Sequence, residues 1–434
     1  MSELSPELAA LERIRAHRLP LDGVDDNAIF PYYDGLSVAN VAPTFAALMG
    51  VDLQASHPLW EPLWQPWQGR VRRVVLVILD ALGYMALSEA MAADETLAFH
   101  RVARAGMLSP LTSVFPSTTT AATTSFSTGR APVEHGMLGY ELFLREFSRT
   151  ANMILLSAHR ARRAGELEAL GLNYDTFIPV PSVAQRLATE GIPTHVLLPS
   201  DIRDSGLSRL QYRGANIHSY YTPADMWVGL RHLLIAGPRE AYISVYWPGV
   251  DTIAHRRGPD TEMHAAEVRS LAYSLGRELL DGLPSGARSK TLLVISADHG
   301  QVRSRPEDIV DIAHHPGLAQ RLQFDPTGEA RTAYLFARQG EKSPLLGYLR
   351  DNLAKQFAAW DSDAAFASGI FGTGEPMAEA RSRMGDIVLA ARKTYSLHAE
   401  GVHLLPDKMP GRHGSLSPAE MLTPWLAAHL EDVS

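Results

Sequence analysis

The chain has 434 residues, of which 46% are hydrophobic and 20% charged, and its 40 basic and 48 acidic side chains leave a net charge of -8. A single small domain is excluded, and no basic run offers a face for a nucleic-acid polymer or an anionic membrane, so any phosphate binding is local. With 0 cysteines there are no disulfides or thiolate metal ligands, only His, Asp and Glu, and the charged N-terminus together with the lack of a membrane-length apolar segment predicts a soluble, cytoplasmic protein.

Residues 1 to 69 read as an N-terminal extension, with a helical pattern to Arg18 and a Pro- and Trp-rich stretch at His57 to Gly69 whose indoles are expected to pack on the core. Residues 70 to 434 read as one α/β domain. The run Val71 to Leu79 has the continuous apolar character of a strand buried in a parallel sheet, and it stops at Asp80. A helix is expected from Met85 to Gly106 and a short strand from Leu108 to Val114. The Thr-rich segment Thr112 to Arg130 then brings a hydroxyl to the first turn of a helix, where backbone N–H groups and the helix dipole favour an anion.

Arg149 to Leu170 is expected to be helical with a solvated Arg face, followed by a strand near His195 and a helix from Pro223 to Ile235. The strand Tyr242 to Tyr246 leads to Asp251 and His255, a pair that shares one face if the segment turns as a helix. The strand within Lys290 to Gly300 ends in Asp298 and His299. Residues from about 324 to 397 read as an inserted lid, with GIFGTGEP serving equally well as a mobile cover or a plain loop. The chain re-enters the core through His413 and ends in a capped helix, Ser417 to Leu430. The alternation of strands and helices predicts a largely parallel central sheet flanked by helices.

Asp80, Asp251, His255, Asp298, His299 and His413 together could hold two divalent ions about 4 Å apart, with a nucleophilic hydroxyl between them. Oxygen and imidazole ligands without thiolate suit zinc, with manganese the other ion they would accept. Any one of these residues has a plain alternative: Asp80 could cap a helix, and a single His is often just a hydrogen-bonded polar group. His314, His315 and His403 could shape the pocket or serve as ligands but read first as ordinary loop residues, and Arg130 reads as either a phosphate fork or a salt bridge.

The segments LVILDALG, TTTAATTSFSTG, YWPGVDTIAH, VISADHG and GRHG, in that order, resemble the alkaline phosphatase superfamily, and most of all its type I phosphodiesterase/nucleotide pyrophosphatase branch. The resemblance runs from about Arg70 to the C-terminus. It implies Thr119 as nucleophile, one metal on Asp251, His255 and His413, and the other on Asp80, Asp298, His299 and the Thr119 oxygen. The implied activity is hydrolysis of small phosphodiesters or pyrophosphates through a covalent phosphothreonine. A phosphomonoesterase or phosphonate hydrolase with the same site is the alternative, as is a non-catalytic metal- or phosphate-binding relative.

The chain departs from the branch in two places that bear on substrate. Nucleotide pyrophosphatases typically show T-F-P-N-H at the nucleophile, where Thr119, Thr120, Ala121, Ala122 and Thr123 stand here. Their phosphate-contacting Asn in H-G-I-V-x-N corresponds to Tyr140, whose phenol could take the amide's place at the substrate or could simply pack. A sulfatase of the usual kind would need an oxidised Cys, and a phosphoglycerate mutase relative would be expected to use Ser at Thr119.

Overall fold

The computed structural model describes residues 5–159 and 165–434. Its centre is a seven-stranded sheet. In chain order the strands are β1 Arg73–Leu79, β2 Met107–Thr112, β3 Thr194–Pro199, β4 Asn216–Tyr220, β5 Ala241–Trp247, β6 Thr291–Ser296 and β7 Leu422–His429. They lie side by side as β2-β7-β6-β1-β5-β3-β4. β1 is parallel to both β5 and β6, whereas β7 is antiparallel to its neighbours β2 and β6.

Every residue of β1 is buried, as the unbroken Val/Leu/Ile run Val74–Leu79 requires of a strand covered by helices on both faces. Because β5, β1 and β6 are adjacent and parallel, the Asp-bearing segments that follow them emerge at one edge.

Residues preceding β1 lie against this core. Trp67 is buried, and the Trp425 indole of β7 donates to the Leu63 carbonyl at 3.0 Å. The same region extends the hydrogen bonding of β2, since the Thr112 amide donates to the Leu36 carbonyl at 2.7 Å.

A second, antiparallel seven-stranded sheet runs 357–361, 387–391, 332–335, 327–328, 141–144, 149–152 and 157–158. Four of these strands come from the segment read as a lid, and GIFGTGEP is packed at its start, with Ile370 and Phe371 buried.

Three expected elements differ. The C-terminal helix Ser417 to Leu430 is instead a single turn, Pro418–Met421, followed by β7. Pro424 would break a helix interior, and all eight residues of β7 are buried, which suits a strand inside a sheet. The helix from Arg149 to Leu170 is replaced by the strands Arg149–Asn152 and Ser157–Ala158, and only Glu166–Ala169 is helical. Pairing with Glu141–Leu144 satisfies that backbone, and the Asn152 side chain accepts the Ile154 and Leu155 amides to turn the chain; residues 160–164 of this expectation lie outside the described residues. Met85 to Gly106 is two helices, Tyr84–Ala93 and Phe99–Ala105, interrupted where the Asp94 carboxylate accepts the Thr96 amide.

Candidate active site

Asp80 follows β1 directly, and its amide donates to the Trp247 carbonyl of β5 at 2.9 Å. It does not cap the next helix, whose N-cap is Gly83. One of its carboxylate oxygens, Oδ2, accepts the Tyr246 hydroxyl, and the other, Oδ1, is buried without a hydrogen-bond partner. Asp298 shows the same division: Oδ1 accepts the Ala81 and His299 amides at 3.1 and 3.0 Å, and Oδ2 has no partner. Both free oxygens lie 3.6 Å from His299 Nε2.

The loops carrying these residues meet through glycines. A Cβ on Gly300 would lie 2.0 Å from the Ala419 carbonyl oxygen, and one on Gly83 would lie 2.9 Å from the Gly300 Cα. Only hydrogen fits at either position.

The helix α1, Thr119–Thr128, starts at this edge and ends at Gly129, which takes the left-handed conformation at φ 67°. Thr is a modest helix former, but here Thr123, Thr124 and Thr128 return their hydroxyls to the carbonyls four residues earlier, which satisfies them inside the protein. Thr119 is the first residue of α1, and its Oγ1 lies 3.2 Å from His299 Nε2.

The segment after β5 does turn as a helix, α2, Gly249–Arg257, and it puts Asp251 and His255 on one face, with His255 Nε2 3.2 Å from Asp251 Oδ1. His255 Nδ1 is fixed by the Gly411 carbonyl at 2.8 Å, and His413 Nδ1 by the Ser117 carbonyl at 3.0 Å. Their remaining Nε2 atoms face one another at 3.2 Å, and the His413 ring stacks on His299 with centroids 3.9 Å apart.

Ligand atoms of Asp251, His255 and His413 lie within 4.8 Å of one another, as do those of Asp80, Asp251 and His299. Asp251 therefore stands in both groups. These residues suit hard or borderline divalent cations: buried carboxylate oxygens lack donors, and facing imidazole nitrogens are already oriented by carbonyls on their other side.

The electrostatics agree. Burial, then the neighbouring Asp298 and Asp251, push the Asp80 carboxyl well above its ordinary range. For Asp251 burial acts upward, but His255, His413 and His299 hold it below that range. Burial and the two adjacent imidazoles depress His413. Negative oxygens crowded this closely call for a positive partner.

Two clefts meet at Thr119. One, of about 220 Å³, is walled mainly by Ile154, Leu198, Ile202, Leu207, Tyr212 and Tyr246; the other, of about 460 Å³, by Tyr140, Glu329, His403, Met409, Arg412 and His413. Thr119, Ile154 and Asp251 belong to both. Tyr140 is 41% exposed.

His403, read from the sequence as an ordinary loop residue, thus lines the cleft, whereas His315 bonds the Tyr348 hydroxyl through Nδ1 at 3.0 Å. Arg130 is in a salt bridge with Glu134 at 2.9 Å. Sequence reasoning passed over Tyr246, Gln301 and Glu329. Tyr246 sits at the same strand edge as Asp80 and could have been found from that position; Gln301, which donates to Asp251 Oδ1, follows His299-Gly300 in the chain. Glu329 gave no signal, because its place depends on the second sheet. Its Oε2 lies 3.5 Å from His413 Nδ1, and burial pushes its carboxyl up to about 8.

The type I phosphodiesterase/nucleotide pyrophosphatase family model matches residues 74–416. The chain belongs to that family. It is a hydrolase of the alkaline phosphatase superfamily, as the ordered segments imply. No curated protein matches it.

Among solved structures, the murine ectonucleotide pyrophosphatase/phosphodiesterase 5 superposes with a TM-score of 0.59 at 16% identity, over 82% of this chain and 87% of that one. An inactive variant of the murine protein in complex with AMP gives 0.57 at 16% identity, with the same coverage. The Sinorhizobium meliloti 1021 phosphonoacetate hydrolase in complex with phosphonoacetate gives 0.61 at 18% identity, over 82% of this chain and 90% of that one. At these identities the likeness is one of fold, and it confirms the α/β architecture. Among the described residues no helix is long and apolar enough to cross a membrane.

Proposed function

We propose that this family member hydrolyses small phosphodiesters or pyrophosphates, with Thr119 as nucleophile and a phosphothreonine intermediate. The observation that carries the reading is the position of the Thr119 hydroxyl, beside His299 at the first turn of α1 and at the junction of two clefts. A phosphorus bonded there has room for a substituent on either side, as a diester requires; a monoester would leave one cleft unused.

Asp251, His255 and His413 would hold one divalent ion, and Asp80, Asp298 and His299, with the Thr119 oxygen, the other; zinc suits this set, with manganese the alternative. Such ions supply positive charge that lowers the pKa of the hydroxyl and offsets charge on the leaving oxygen. The protein's own groups do the rest. The place of Thr119 at the first turn of α1 aims its hydroxyl, and the amides opening that helix would face the phosphoryl oxygens. Thr119 Oγ1 forms a bond to phosphorus as the bond from phosphorus to the leaving oxygen breaks; that oxygen departs with the electron pair and takes a proton. Water then attacks phosphorus, releases Thr119 and completes the hydrolysis.

Tyr140 reaches the substrate with its phenol in place of the family's Asn. The segment 324–397 acts as a cover, since Gly328, Glu329 and Ala330 wall the larger cleft. The AMP and phosphonoacetate complexes of the structural relatives fit small phosphorus ligands of this kind.

The test is metal content of protein purified without chelator, then release of p-nitrophenol from bis-p-nitrophenyl phosphate and from p-nitrophenyl phosphate. About two ions per chain are expected, with the diester preferred and Thr119→Ala slowed roughly a thousandfold or more while keeping its metal. A preference for the monoester would move the reading to a phosphomonoesterase, and failure to bind metal on reconstitution would overturn the mechanism.

A further inference from the structure

The larger cleft is lined by a buried arginine that has no direct ion pair among the described residues, with Glu329 acting on its charge only from a distance. Arg412 directly precedes His413 and is only 7% exposed. Its terminal nitrogens donate to the Leu404 carbonyl and, at 3.1 Å, to the Met409 thioether, both neutral acceptors. Its Nε is buried and has no partner. Among the described residues no carboxylate lies within ion-pair distance of it, although Glu329 and His403 line the same cleft.

A buried cation held only by neutral acceptors is costly, and proteins normally compensate it with an anion. Arg331, the comparable buried arginine nearby, is compensated, by a two-pronged contact with Glu420 at 2.6 and 2.7 Å. Arg73, equally without a carboxylate, has its three guanidinium nitrogens on the Thr291 hydroxyl and the Leu234 and Ala287 carbonyls, so what sets Arg412 apart is its partnerless Nε together with its place in the cleft wall. It opens on the cleft where the reacting phosphorus would sit, and the anion it lacks can come from the substrate.

We propose that Arg412 anchors a second anionic group, a carboxylate or a phosphoryl group, carried by the substituent on the substrate's phosphorus. The enzyme would then select doubly anionic substrates over singly substituted ones of the same size. This rests on the reading that phosphorus binds at Thr119, and it goes beyond that reading by assigning a charge to what occupies the larger cleft. The planar fork of Arg suits either oxyanion.

Binding separates this proposal from catalysis, so calorimetric titration of the metal-loaded protein tests it even if no diester is turned over. The probes are methylphosphonate, phosphonoacetate and methylenediphosphonate, which share a phosphonate head and differ in the second group. Wild type is expected to bind at least one of the two doubly anionic probes about tenfold or more tightly than methylphosphonate, the scale of a charge-assisted contact. Whichever is favoured identifies the second group as carboxylate or phosphoryl.

In Arg412→Met that ratio should fall below about twofold, and Arg412→Lys, which keeps the charge without the fork, should recover part of it. Equal affinity for all three probes in wild type would overturn the proposal without any variant, and so would a ratio that survives Arg412→Met. Loss of diester hydrolysis in Thr119→Ala, by contrast, bears only on the nucleophile.

Discussion

Single residues at the site are constrained from several sides at once, which makes their substitutions informative. The space opposite Gly300 is filled by the Ala419 carbonyl oxygen, 2.0 Å from where a Cβ would stand. Neither backbone can yield without moving His299, so Gly300→Ala should destabilise the protein by roughly 1–3 kcal/mol in chemical denaturation and weaken metal binding as well. Asp251 is the residue shared by both groups of ligands. Asp251→Asn should therefore lower metal content more than a change confined to one group, such as His413→Asn, when both are assayed after dialysis against the same trace metal. Equal losses would mean that Asp251 serves one ion only.

At the scale of elements, Glu420 joins segments that arrive from distant parts of the chain. Its carboxylate accepts Arg331 from the second sheet, the Ser415 amide at 3.0 Å and the Ser417 hydroxyl at 2.6 Å, while its carbonyl accepts the Gly300 amide at 2.9 Å. The loops bearing His299 and His413 are thus tied to one residue in the helical turn just before β7. Removing one partner leaves a buried charge: Glu420→Gln should cost about 3–5 kcal/mol. The double variant Arg331→Met with Glu420→Leu should cost less, because no charge is then stranded. A double variant less stable than the single one would show that the hydrogen bonds to Ser415 and Ser417 outweigh the ion pair.

For the whole molecule, the N-terminal extension and the metal site are the features that couple stability to the rest. Deleting residues 1–69 would uncover the core around Trp425 and remove the Leu63 acceptor of its indole as well as the Leu36 partner of Thr112. The truncated chain should be recovered aggregated or with a much lower melting temperature, and a truncated protein that melts like the full chain would refute that. Candidate ligands on several segments would also make metal a stabiliser: at a hundredfold excess over the dissociation constant, binding to the native state would contribute about 2.7 kcal/mol. Chelation should lower the melting temperature reversibly, and readdition should restore it.

The strands at the centre were legible because a parallel sheet buried on both faces demands continuous apolar runs, and Arg73–Leu79 and Thr291–Ser296 carry them with an Asp next in sequence or nearly so. The order of the segments carrying Asp80, Thr119, Asp251, His255, Asp298, His299 and His413 was equally plain, since residue identity fixes which side chains could hold a cation or attack phosphorus. Other features were decided only in three dimensions. Leu422–His429 is a strand because β2 and β6 flank it, and Arg149–Asn152 is one because Glu141–Leu144 offers it a ladder; hydrogen-bond partners, distant in the chain for the first and a hairpin neighbour for the second, outweighed local helical pattern. Glu329 and Arg412 meet Thr119 in one cleft only once the second sheet is folded beside the first, and a charge without a local partner cannot be recognised until its surroundings are assembled. By itself the sequence determined the chemistry available to this protein; the tertiary structure decided which groups share a cavity, because proximity across hundreds of residues is a property of packing and not of order along the chain.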